Sequence, residues 1–172
     1  MEFKDDGTGV QLAGHSVEMS GQVKLVPFLP DEVLASVQRL SPATLAYLGD
    51  AVYELYMRAV YLLPPKRLQD YHEQVVSHVR AESQALHLEL LQPHLTELEQ
   101  QILRRGRNAA TKKPKRVKPK IYQQATSLET LLGYLYITDP QRLFQLLTKI
   151  RLESLSVESD DSVTPDTAEL AD

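Results

Sequence analysis

The segment SPATLAYLGDAVYELYMRAVYLLPP, residues 41–65, decides the fold of this chain. Ser41 suits a helix N-cap and Pro42 suits the first helical position, where a missing N–H costs no intrahelical hydrogen bond. Apolar residues then recur at helical spacing until the two prolines: Leu45, Leu48, Val52, Leu55 and Ala59. Four tyrosines occupy other positions of the same helix: Tyr47, Tyr53, Tyr56 and Tyr61. The segment therefore predicts a central helix that is apolar nearly all round and is buried or at a subunit interface.

Helical spacing continues on both sides of this segment, and no alternating strand pattern of useful length occurs. Proline and cap signals divide the rest of the chain into predicted helices over about 31–40, 68–91, 95–104, 121–136 and 139–152. We predict an all-α helical bundle that fills residues 26–152. Residues 1–25 are predicted to form a flexible arm. Residues 153–172, with seven acids and no base, are predicted to form an acidic disordered tail.

The composition is that of one globular domain and excludes several classes of site. The 172 residues are 42% hydrophobic and 24% charged. Because there is no cysteine, disulfides, thiolate metal sites and a cysteine nucleophile are excluded. The five histidines include no i, i+4 pair, which argues against a zinc hydrolase. The acidic N-terminus MEFKDDGTGV and the lack of an apolar run of about 18 residues lead us to expect a soluble, cytoplasmic protein with no membrane partner.

The positive charge of the chain is concentrated in one place. Nine lysines and arginines, and no acid, lie between Arg104 and Lys120. Residues 106–120 contain two prolines and few hydrophobes, so we predict a basic loop there. Such a stretch in a nearly neutral body is typical of a site that binds a polyanion. The alternative is a solvated linker without a partner.

Two acids stand in otherwise apolar helical segments. Asp50 lies between Leu48 and Val52 beside Gly49, and Glu129 lies in a leucine-rich segment one turn before Gly133. A glycine next to each acid leaves room for something to approach the helix closely. The pair suggests a divalent cation held by oxygen ligands. The alternative is that each acid pairs with an arginine or is protonated.

Three short motifs in this order carry a resemblance to a known family. They are LGDAVYE (residues 48–54), LRRGRNA (residues 103–109) and LETLLGYLY (residues 128–136). The first and the last resemble the two signature segments of the ribonuclease III catalytic domain, and the middle one, before a basic loop, is similar to the compact Mini-ribonuclease III branch. The resemblance spans about residues 40–152. It implies an all-α, homodimeric, Mg²⁺-dependent endoribonuclease that cleaves double-stranded RNA to 5′-phosphate and 3′-hydroxyl ends and matures both ends of the 23S ribosomal RNA precursor.

The resemblance also assigns roles to individual residues. Asp50 and Glu129 take the places of catalytic, metal-binding acids. Ala46 and Thr126 stand where the larger enzymes have two more acids, which leaves open whether one or two metal ions bind. Glu54, one turn after Asp50, is either a further ligand or a packing or dimer contact. We expect these residues to bind RNA: Arg104, Arg105, Arg107, Asn108, Lys112, Lys113, Lys115, Arg116, Lys118 and Lys120.

Two other functions compete with this one. A catalytically silent RNA-binding or ribosome-assembly module could keep the same fold, but loss of Asp50 or Glu129 would favour it and both are present. A helical protein-interaction domain would respond to neither Mg²⁺ nor RNA. The residues leave open whether a ribosomal protein presents the RNA.

Overall fold

The structure, a computed structural model, describes residues 29–110 and 117–160. The elements of these ranges, all helical, are listed here in chain order. They are α1 (Asp31–Ser36), a 3-10 turn (Val37–Arg39), α2 (Pro42–Val60), α3 (Leu68–Val79), α4 (Ala81–Leu91), a 3-10 turn (Gln92–His94), α5 (Glu97–Ala109), α6 (Pro119–Thr138) and α7 (Pro140–Asp160). The prediction of an all-α fold is confirmed. The predicted arm, residues 1–25, lies outside the described residues, as do residues 161–172 of the predicted tail.

The start of α2 follows the cap signal in the sequence. The Ser41 hydroxyl accepts a hydrogen bond from the backbone N–H of Thr44 at 3.1 Å, and Pro42 occupies the first turn. This bond satisfies one of the amide groups that have no partner inside the helix. The helix ends at Val60, before the two prolines.

Three predicted boundaries are wrong. The segment predicted as one helix over 68–91 is broken at Arg80, whose extended backbone (ψ 157°) separates α3 from α4. Across the break the Ser83 hydroxyl donates to the carbonyl of Ser77 at 2.6 Å, so a side chain replaces a helical hydrogen bond. Helix α5 continues to Ala109, so the first four residues of the predicted loop, 106–109, are helical. Helix α7 runs to Asp160, past residue 152 and into the segment predicted as disordered.

The core is built around α6, which packs against α2, α4, α5 and α7. Its buried side chains are Ala125, Thr126, Ser127, Leu128, Thr130, Leu131, Leu132, Leu135 and Ile137. On α2 the buried side chains include Leu45, Tyr53 and Met57, whereas Leu55 of the predicted stripe is 68% exposed. Because α2 is apolar nearly all round, its sequence does not say which face packs inward.

Glycines decide how α2 and α6 meet. A Cβ atom on Gly49 would overlap the carbonyl oxygen of Glu129, and one on Gly133 would overlap the carbonyl oxygen of Leu45. The two backbones therefore touch at this crossing, which only residues without a side chain permit. The expectation that these glycines let something approach the helix closely is confirmed, and what approaches is the backbone of the partner helix.

Helix α5 is fixed at its start by a buried ion pair. Glu99, 4% exposed, closes a capping box with Thr96 and accepts from the Nε of Arg142 at 2.7 Å. Arg142 also donates to the carbonyl oxygen of His94 at 2.6 Å. These bonds tie α5 to α7 and set the direction in which α5 carries its basic residues.

Candidate active site

The crossing of α2 and α6 brings the two candidate carboxylates together. Asp50 follows Gly49 on α2, and Glu129 is the residue whose backbone Gly49 contacts on α6. The charge of Asp50 raises the pKa of Glu129, and the side chain of Gln84 lowers the pKa of both carboxyl groups. The sequence predicted this pair, and the structure places its members at one site.

Gln84 is the member of the site that the sequence analysis missed. It lies on α4 and is 2% exposed. The signal for it was present, because Gln84 precedes Leu88 and Leu91 at i+4 and i+7 and so occupies a core position of its helix. A polar side chain at such a position needs a buried partner.

The site disfavours the ionisation of both carboxyl groups at once. Burial raises the pKa of Glu129 to about 7, with the charge of Asp50 adding to the effect and the side chain of Gln84 reducing it. Asp50 is more exposed than Glu129. Its pKa is raised as well, mainly by partial burial and to a smaller extent by the charge of Glu54. No described lysine or arginine forms an ion pair with Asp50 or Glu129. The pairing therefore favours a bound proton or a cation.

Glu54 does not complete a third position at this site. It is half-buried, and its carboxylate accepts from Arg58 at 2.8 Å in an exposed i, i+4 ion pair. Across residues 29–110 and 117–160, no three acidic or histidine side chains are grouped closely enough to hold a metal ion. The charge of Glu54 raises the pKa of Asp50.

The donor set still fits Mg²⁺. This ion commonly keeps several waters and is held by one or two carboxylates together with phosphate oxygens of the substrate. Asp50 and Glu129 supply two carboxylates at one half-buried place. Ala46 and Thr126 are buried and supply none, and the backbone oxygen of Thr126 accepts the Thr130 hydroxyl.

The structure describes six of the ten predicted RNA-binding residues. A Cβ on Gly106 would meet the Thr130 side chain, so α5, which carries four of the six, packs on α6 at the residue after Glu129. Six predicted RNA-binding residues are exposed and lie on α5 or at the start of α6: Arg104, Arg105, Arg107, Asn108, Lys118 and Lys120. The other four fall outside the described residues: Lys112, Lys113, Lys115 and Arg116.

A second buried polar cluster is separate from the acids. The Tyr53 hydroxyl contacts Nδ1 of His87 and donates to the carbonyl oxygen of His78 at 3.1 Å. Burial lowers the pKa of His87 to about 4, so its ring is neutral at physiological pH.

A family match and two similar proteins point to the same family. The family described as "Ribonuclease III domain" matches residues 43–140. A protein of Thermosynechococcus vestitus, named Mini-ribonuclease 3, is 57% identical over 127 residues, which cover 72% of this chain and 83% of the relative. A Synechocystis protein of the same name is 57% identical over 117 residues, which cover 68% of this chain and 82% of the relative.

The fold has a counterpart among solved structures. The crystal structure of a Fusobacterium nucleatum protein matches with a TM-score of 0.63 and 27% sequence identity, over 70% of this chain and 98% of that chain. Among the helices that the structure describes, none combines the length and apolar character that crossing a membrane requires.

Proposed function

Since this chain belongs to the Mini-ribonuclease III branch of the ribonuclease III family, it is an endoribonuclease, and we propose that it hydrolyses phosphodiester bonds of double-stranded RNA with the help of Mg²⁺. The observation that carries the proposal is the pairing of Asp50 with Glu129 at the α2–α6 crossing without a basic partner among the described residues. Two carboxylates whose charges act on each other, one of them partly buried, gain most from a divalent cation.

We propose the same two residues as the metal-binding and catalytic acids. When bound, Mg²⁺ polarises a phosphodiester and activates a water molecule. Asp50 and Glu129 would hold it from two different helices, so its position depends on how α2 crosses α6. The carboxyl of Glu129, whose pKa burial raises to about 7, would release its proton to water on holding the cation.

The basic residues on α5 and around the loop are proposed to bind the RNA backbone. Arg104, Arg105 and Arg107 are exposed on a helix whose Gly106 packs beside Thr130 and hence near the acids. A-form RNA is recognised mainly by shape and by its phosphates and 2′-hydroxyls. Exposed guanidinium groups on a rigid helix can neutralise such phosphates next to the scissile bond.

We propose that the protein acts as a homodimer. Tyr47, Ala51 and Leu55 follow one another at four-residue spacing along α2, and Tyr47 and Leu55 are 85% and 68% exposed. A large apolar face of this kind is typical of an interface with a second subunit. Asp50 and Glu54 occupy the neighbouring row of the same helix, so the two acidic sites of a dimer would border the interface.

The proposed substrate is the 23S ribosomal RNA precursor, at the duplex formed by its two ends. Support comes from the family resemblance of LGDAVYE, LRRGRNA and LETLLGYLY and from relatives named Mini-ribonuclease 3. Water would attack the phosphorus and the 3′ oxygen would leave, which gives 5′-phosphate and 3′-hydroxyl ends. This role in ribosome biogenesis would place the protein in the cytoplasm, with a ribosomal protein as a further partner if one presents the RNA.

Incubation of the protein with a labelled precursor duplex, with Mg²⁺ and with EDTA, tests the proposal. We expect Mg²⁺-dependent cuts in both strands and products that accept a label at the 3′-hydroxyl and carry a 5′-phosphate. Binding of the duplex without cleavage at any Mg²⁺ concentration would instead favour the catalytically silent module. Neither binding nor cleavage would favour a protein-interaction domain.

A further inference from the structure

Thr130 is a buried polar residue at the point where three helices meet. It lies on α6 directly after Glu129 and is 1% exposed. Its hydroxyl donates to the carbonyl oxygen of Thr126, one turn earlier on α6, at 2.7 Å, and to the carbonyl oxygen of Pro42 in the first turn of α2 at 3.3 Å. Because a hydroxyl has one hydrogen, the two carbonyl oxygens share it, and the side chain is held between α6 and α2.

The third helix, α5, rests on this side chain through Gly106. A Cβ atom on Gly106 would lie 2.5 Å from the hydroxyl oxygen of Thr130, 2.8 Å from its Cβ and 3.0 Å from the Cα of Ser127. These distances leave no room for a side chain at position 106 unless Thr130 moves, so the backbone of α5 lies directly against Thr130. The size and position of the Thr130 side chain therefore set the separation of α5 from α6.

This contact lies one residue from an arginine on one helix and one residue from an acid on the other. Arg105 and Arg107 flank Gly106 and are exposed, whereas Glu129 precedes Thr130. Since consecutive Cα atoms are about 3.8 Å apart, the Cα atom of either arginine lies within about 14 Å of the Cα atom of Glu129. The spacing between these guanidinium-bearing positions and the acid therefore depends on Thr130.

We propose that Thr130 is a positioning residue that holds the arginines of α5 at a fixed distance from the paired carboxylates. The inference rests on the proposed function, since it takes the arginines to bind the phosphates of duplex RNA and the carboxylates to hold Mg²⁺. Thr130 is buried and touches neither. It acts through register: when the arginines hold the RNA backbone, the phosphate to be cut lies at the acids rather than beside them. Such register matters, because a misplacement of about 1 Å can cost about a hundredfold in rate.

Valine and serine at position 130 change the contact in different ways. T130V puts a methyl group where the hydroxyl lies 2.7 Å from the carbonyl oxygen of Thr126, and a methyl group needs about 3.5 Å. The methyl group and its neighbours, Gly106 among them, must then shift by about half an ångström. T130S keeps the oxygen and the Cβ that a side chain on Gly106 would meet, and it keeps both hydrogen bonds. Serine should therefore preserve the seat of α5, and valine should not.

The test measures both variants against a matched control in the full chain. The control is T138V, because the Thr138 hydroxyl also donates to a carbonyl oxygen one turn earlier on α6, that of Tyr134 at 2.9 Å, but is exposed and lies two turns beyond Thr130. Four quantities are measured: the Kd for duplex RNA in EDTA, the Kd for Mn²⁺ without RNA by calorimetry, the single-turnover cleavage rate at saturating RNA and Mg²⁺, and the Tm.

We expect T130V to cut about tenfold more slowly than T138V at saturating RNA and Mg²⁺, since the shift of α5 is about half of the displacement that costs a hundredfold. Both affinities should stay within about twofold of the T138V values, because the arginines and the acids are all present and each set is measured without the other. T130S should cut within about twofold of the wild-type rate. If T130V does not fold, T130A takes its place, and it should cut about fivefold more slowly because α5 then rests on the Cβ alone.

Three results would overturn the inference while the wild type remains active. Cleavage by T130V within about twofold of the T138V rate would show that the spacing does not depend on Thr130. Parallel losses of both affinities, the Tm and the rate would show that Thr130 only supports the fold. Cleavage by T130S as slow as that by T130V would show that the hydroxyl and its bonds do not seat α5. Failure of the wild type itself to cut duplex RNA would instead refute the proposed function, and this inference with it.

Discussion

Replacement of Gly49 by alanine tests whether the α2–α6 crossing holds the site together. The new Cβ would overlap the carbonyl oxygen of Glu129, a backbone atom that no rotamer change can move. Overpacking of a core costs about 1–3 kcal/mol, and a collision with backbone belongs at the upper end. Alanine recovers about 1 kcal/mol through its better helix propensity. We therefore expect G49A to lose about 2 kcal/mol of stability, which corresponds to a Tm lower by about 4–8 °C for a chain of this size.

The same variant should lose activity even under conditions in which it remains folded. The backbones must separate by about an ångström or more, because the Cβ would otherwise lie 1.8 Å from the Glu129 oxygen. This moves Asp50 away from Glu129. The Kd for Mn²⁺ should therefore rise, and cleavage should fall well below the wild-type rate even at temperatures where the variant is folded. Thermal unfolding, calorimetry with Mn²⁺ and single-turnover cleavage measure the three effects. G106A gives a graded comparison, because its Cβ meets the side chain of Thr130 first and should cost less stability. Wild-type Tm and cleavage in G49A would refute this account of the crossing.

The remaining predictions concern charge and assembly. Burial and the charge of Asp50 raise the pKa of Glu129 to about 7, so the folded state favours the protonated carboxyl, and the metal-free wild type should lose stability as the pH rises from about 4.5 to about 7. E129Q should not show this loss between pH 5 and pH 8. Unfolding in urea at several pH values with EDTA measures the effect. Light scattering should give twice the chain mass of 19.4 kDa, and L55E, which puts a charge on the exposed apolar face of α2, should give a monomer; a monomeric wild type that cuts both strands at an undiminished rate would contradict the dimer. The basic loop is tested by replacing Lys112, Lys113, Lys115, Arg116, Lys118 and Lys120 with serine. This should lower the magnitude of the slope of log K for RNA against log salt by about two to three units per loop with little change in Tm, and an unchanged slope would show that the loop does not bind phosphates.

The sequence predicted the fold class and the two acids for the same reason. Strong local signals, such as Ser41 with Pro42 and an isolated Asp50 in an apolar helix, specify a helix start and an unusual residue without reference to the rest of the chain. The inward face of α2 could not be predicted, because an all-round apolar helix has no unique stripe. Its orientation depends on Gly49 meeting Gly133 some eighty residues away, which is a tertiary relation.

Other features were missed because the competing signals were weak. The break at Arg80 has no proline or glycine to mark it, and the bonds that replace the helical ones come from side chains such as Ser83. Gly106 in α5 suggested the start of a loop but serves close packing on Thr130. Gln84 became meaningful only in the structure, where its side chain lowers the pKa of two carboxyl groups from other helices.

The most direct test of the central claim is the single-turnover cleavage rate of duplex RNA by D50N and E129Q, with RNA affinity measured alongside in EDTA. Each substitution keeps the size of the side chain and removes one charge from the paired site. The control E89Q removes a carboxylate that accepts a hydrogen bond from Gln124 between α4 and α6, outside the site. We expect the rate to fall about a thousandfold or more in D50N and E129Q, since metal binding supplies several kcal/mol of transition-state stabilisation, while E89Q cuts normally and all three bind RNA like the wild type. Cleavage by D50N or E129Q at close to the wild-type rate would contradict the assignment of these two acids.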